Sequence, residues 1–69
     1  MDIIDVMITD LANAGFNRKF LMNQNAYFIC TLYELWDVED PEEQIENVKE
    51  FAEEYNVNMA DLLAITITD

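Results

Sequence analysis

Sixty-nine residues carry fifteen acids, three cations and no histidine, a net charge of −12, and 52% of them are apolar. A chain this short folds as one domain that buries about 60% of its unfolded surface, and its apolar share separates it from disordered acidic tails. The charge argues against nucleic acid and anionic membranes as direct ligands, and no apolar run approaches the roughly 20 residues needed to span a bilayer.

The first predicted element is a helix over residues 2 to 14, where Ile4, Met7, Ile8 and Leu11 fall at helical spacing. Gly15 stands where a helix end needs positive φ, and Phe16 is placed to fold back on the last turn. The next region, "RKFLMNQNAYFICTLYELW", has strand-preferring residues at Tyr27, Phe28, Ile29, Thr31 and Tyr33, and Asn23, Gln24 and Asn25 suit a turn. These features predict a β-hairpin. The rival is a helix across residues 24 to 36, because Phe28, Leu32, Leu35 and Trp36 also share a helical face.

A second helix is expected from Pro41, with Asp40 as its N-cap and Glu42 and Glu43 at the positive end of its dipole. Ile45, Val48, Phe51, Ala52 and Tyr55 form its buried stripe, and Asn56 ends it in the left-handed conformation. Asn58 and Asp61 open a short helix through about Ala64, and "ITITD" reads as an extended edge or a frayed terminus. The predicted fold class is therefore α+β: helix, β-hairpin, helix, short helix. The alternative is an all-α bundle of four short helices.

Charge is distributed unevenly. Residues 1 to 33 carry a net of about −1, and residues 34 to 54 about −9. Glu42, Glu46, Glu50 and Glu54 recur at i, i+4 and form one ridge roughly 6 Å apart, flanked by Glu43 and Glu53 and continued upstream by Glu34, Asp37, Glu39 and Asp40. One reading is a solvated outer face. The other is a rigid row of carboxylates that imitates the phosphates of a nucleic-acid strand and occupies a site whose Lys and Arg ordinarily neutralise them. Trp36 directly precedes the acidic run, so an apolar anchor and a charged flank would share one edge.

Catalytic residues are scarce. With no His and no Ser the common triads are excluded, and Cys30 lies in an apolar run with no neighbouring base. The acids cluster where solvent keeps them ionised, and "DVEDPEEQIENV" lacks the glycine and closing Glu of an EF-hand. No enzyme, cofactor or dedicated metal site is expected. Cys30 cannot form an internal disulfide, and no charged and apolar leader opens the sequence, so a cytoplasmic location is expected.

"FAEEYNVNMADLLAI" is similar to the helix-turn-helix motif of DNA-binding regulators, with Phe51, Ala52, Tyr55, Val57, Leu62 and Ile65 at its packing positions and Asn56 where that family usually has glycine. Residues 57 to 69 contain no Lys or Arg, so the motif implies protein docking or dimerisation and not base readout. In length, net charge and the acids of residues 34 to 54, the chain resembles the small anti-CRISPR and antirestriction inhibitors of phages and mobile elements, several of which are DNA mimics. That resemblance implies a non-enzymatic inhibitor in the bacterial host cytosol whose partner is a basic protein surface. An acidic adaptor or regulatory protein, binding through its aromatic or helix-turn-helix-like surface and forming a homodimer, is the alternative.

Overall fold

Aspartate or asparagine caps all five helices in the computed structural model, which describes residues 2–63. The helices are α1 (Ile3–Ala14), α2 (Arg18–Met22), α3 (Ala26–Trp36), α4 (Pro41–Glu54) and α5 (Met59–Leu62). Asp2, Asn17, Asn25, Asp40 and Asn58 each have extended backbone, and the side chain of each accepts a backbone N–H from the first turn that follows. The shortest of these bonds runs from the Phe28 N–H to Asn25 Oδ1 at 2.8 Å. Removing a cap of this kind costs about 1 kcal/mol. An Asn25→Ala variant should therefore lose about that much stability in urea titration, and Asn25→Asp very little.

The expected hairpin is absent from the described residues, and the fold class is all-α. Residues Ala26–Trp36 form α3, and the Asn23 to Asn25 segment turns between two helices and not between two strands. The physical reason lies in burial. Phe28, Ile29 and Leu32 are all inside, a pattern that follows one helical face and breaks the alternation of a strand. Asn25 then supplies the start that strand preference does not take into account.

Two helices end alike. Gly15 (φ 120°) follows α1, with the Phe16 N–H reaching Leu11 O at 3.0 Å and the Gly15 N–H reaching Ala12 O at 3.1 Å. After α4, Asn56 (φ 56°) does the same work, with the Val57 N–H on Ala52 O at 2.8 Å and the Asn56 N–H on Glu53 O at 3.2 Å. These are paired 6→1 and 5→2 closures, and each turns an apolar residue back toward the core. Phe16 is buried as a result.

Helix α3 lies between α1 and α4, while α2 bridges α1 and α5. Phe28 is the hub of the core, edge-on to Phe51 at 4.8 Å, to Tyr55 at 5.4 Å and to Phe20 at 6.2 Å between ring centroids. The Asn17 N–H donates to Leu62 O at 2.9 Å within an isolated antiparallel bridge, Phe16 to Leu63, that fastens α5 to the α1–α2 turn. The short helix expected through Ala64 is α5, which ends at Leu62; Ala64 and "ITITD" lie outside the described residues.

On the far side of α3, the Tyr33 hydroxyl donates to Asp10 Oδ2 at 3.0 Å. That bond and the negative charge of Asp10 raise the Tyr33 hydroxyl above its ordinary value near 10. The folded state thus holds this proton more tightly than the unfolded state does. Its stabilising effect is complete below about pH 10 and is lost as pH climbs through the raised value. Asp10→Asn should move the Tyr33 ring titration, followed by NMR, down toward ordinary tyrosine and shrink the alkaline loss of stability.

A candidate acidic interface on α4

Helix α4 owes its position to two polar side chains on its inner flank. Gln44 Nε2 donates to Trp36 O at 2.8 Å, and Asn47 Nδ2 donates to Leu35 O at 3.1 Å. Both acceptors are carbonyls at the end of α3, which no intrahelical donor satisfies. These bonds, together with buried Val48, Phe51 and Ala52, hold α4 against α3 and turn its opposite face outward.

That outward face carries the ridge. Glu42, Glu43, Glu46, Glu50, Glu53 and Glu54 are all exposed on α4, as are Glu34, Asp37, Glu39 and Asp40 before it. From Glu42 to Glu54 the helix rises about 18 Å, so its six carboxylates average one per about 3 Å, or a net of one per about 3.6 Å once Lys49 is counted. A single DNA strand carries one charge per about 3.4 Å of axis. The two linear charge densities match.

The ends of the ridge differ. Asp40 caps α4 through the Glu42 N–H at 3.0 Å, and Glu42 and Glu43 sit in the first turn, where the helix dipole favours them. The last turn has no basic residue, and Glu53 and Glu54 meet the negative end of the dipole. Negative charge is thus present where the helix gains from it and also where it does not.

The structure gathers the expected site residues unequally. Asp40, Glu42, Glu43 and Glu46 border one open acidic cleft together with Ile45. Asp37 caps the end of α3, and Glu39 lies in the loop that follows. Glu34 stands on another helix, sharing a face with exposed Tyr27 two turns earlier. Trp36, half-buried, sets its ring edge-on to Phe16 at 5.0 Å, so it is both packed and presented at the edge.

Three features of this region depart from or add to what the sequence pattern implies. Ile45, expected in the buried stripe of α4, is 53% exposed. Beside it a wholly apolar groove of about 280 Å³ opens between the end of α3, α4 and α5, walled by Trp36, Ile45, Val48, Met59 and Leu63. The signal for Ile45 was present in its place, one turn before Val48 and next to Glu46, at the margin of the apolar stripe. The roles of Gln44 and Asn47 had none, because their acceptors are backbone carbonyls.

The helix-turn-helix-like segment is two packed helices, α4 and α5, joined through Asn56, and α5 is a single turn exposing Ala60 and Asp61. Among the described residues no polar or charged side chain is buried, no set of three side chains could hold a metal ion, and no helix is long and apolar enough to cross a membrane. Comparisons of the chain with protein-family models, with curated proteins and with solved structures find no match.

Proposed function

We propose that the protein is a non-enzymatic inhibitor that works in the bacterial host cytosol, laying the α4 ridge in the basic nucleic-acid channel of a partner such as a CRISPR effector or a restriction enzyme. The observation that carries this reading is the linear charge density of α4, matched to one nucleic-acid strand and held on a helix fixed by its own core contacts. Rigidity matters because a pre-ordered row of carboxylates loses little entropy on binding, unlike a disordered acidic tail. The test is inhibition of DNA binding by a panel of purified CRISPR effectors and restriction enzymes at low and at moderate ionic strength. Inhibition of a panel member that weakens steeply with added salt supports the reading, and salt-indifferent inhibition contradicts it.

A second reading, an acidic adaptor or regulatory protein that binds through aromatic surface and pairs as a homodimer, is favoured by Tyr27, 72% exposed on α3. It predicts a dimer mass in sedimentation that Tyr27→Ser abolishes.

A further inference from the structure

Ile45 separates two concavities and belongs to both. On one side lies the acidic cleft of Asp40, Glu42, Glu43 and Glu46; on the other lies the apolar groove of Trp36, Ile45, Val48, Met59 and Leu63. The rest of the α4 apolar stripe is buried or half-buried, so the exposure of Ile45 is local to this edge. A hollow of about 280 Å³ is too small for a helix and large enough for one or two side chains. Filling it removes apolar surface from water, which favours an apolar occupant.

The rim decides what fills it. A second copy of this chain would bring its own net charge of −12 toward the same acids, and residues 64–69 bring Asp69 and no cation. Lys49, one turn beyond Ile45, is the one cation on α4 and leaves the ridge strongly negative. A segment that offers an apolar side chain flanked by Lys or Arg satisfies both surfaces at once. Resting on the reading of α4 as a binder of basic protein surfaces, we propose that this groove receives a leucine-sized side chain from a basic amphipathic segment of the partner. The groove would then set which basic surface is bound, and the ridge how fast it is reached.

Trp36 is the single tryptophan and walls the groove, so its fluorescence reports occupancy directly. The probes are two tryptophan-free synthetic peptides of equal charge: a helical Lys/Leu amphipath, and the same peptide with every Leu replaced by Ala. The full-length protein should bind the Leu peptide at least about tenfold more tightly and shift Trp36 emission to the blue. Ile45→Ser, which alters no charge and leaves an exposed position exposed, should erase that advantage, whereas Ile45→Leu should keep it. Equal binding of both peptides, with Trp36 emission unmoved and Ile45→Ser without effect, overturns the groove proposal but leaves the acidic ridge as a binder of basic surfaces. Failure of both peptides to bind overturns the two together. Trp36 emission that changes with protein concentration assigns the groove to a second copy, and emission already blue-shifted in the free protein at every concentration assigns it to residues 64–69; either overturns the proposal.

Discussion

Changing Glu42, Glu46, Glu50 and Glu54 together to Gln should weaken binding to a basic partner by about fivefold to seven-hundredfold while leaving the fold unchanged. Each exposed ion pair is worth about 0.2–1 kcal/mol, so four lost together amount to about 1–4 kcal/mol. The loss should fall mainly on the association rate and flatten its dependence on salt, because a charged ridge acts by steering. Stability should barely move. Three i, i+4 repulsions of about 0.2–0.5 kcal/mol each disappear, but Glu42 also gives up its favourable place at the positive end of α4, worth about 0.3–1 kcal/mol. An unchanged melting temperature combined with lost binding separates charge from folding. A folded quadruple variant that binds as tightly as the original reduces the ridge to a solvated face.

Phe28→Ala should cost about 3–5 kcal/mol, the usual range for a buried phenylalanine. The side chain is 5% exposed and meets Phe20, Phe51 and Tyr55, so its removal opens a cavity shared by α2, α3 and α4. A domain of 69 residues has a total of only about 3–10 kcal/mol. Urea titration followed by circular dichroism should find the variant largely unfolded or close to it. Tyr27→Ala, one residue earlier and 72% exposed, should stay within about 0.5 kcal/mol. Similar losses at the two positions would contradict the helical register of α3.

Local chemistry made α1 and α4 readable from sequence. Gly15, the Asp40-Pro41 start and Asn56 each announce a helix boundary through one residue's backbone preference, and each stands where the structure has it. The α2–α3 region lacked that clarity because Tyr27, Phe28, Ile29, Thr31 and Tyr33 favour strands, while the choice between strand and helix rests on packing against α1 and α4. Asn17 and Asn25 are the local signs that favour helices there, two further N-caps in a chain that caps all five of its described helices with Asn or Asp. The acidic ridge followed from i, i+4 arithmetic and is exposed as that spacing implies. The groove did not, since it exists only where α3 ends beside α4 and α5, and no single segment encodes it.

The most direct measurement is a DNA-binding isotherm of an effector or restriction enzyme that the protein inhibits, repeated at rising protein concentration. If the α4 carboxylates stand in for phosphates, the apparent Kd for duplex DNA should rise in proportion to the protein added, with the saturation level unchanged, and excess DNA should in turn release the protein. An isotherm that keeps its midpoint, with DNA and protein bound to the partner together, would contradict the mimicry.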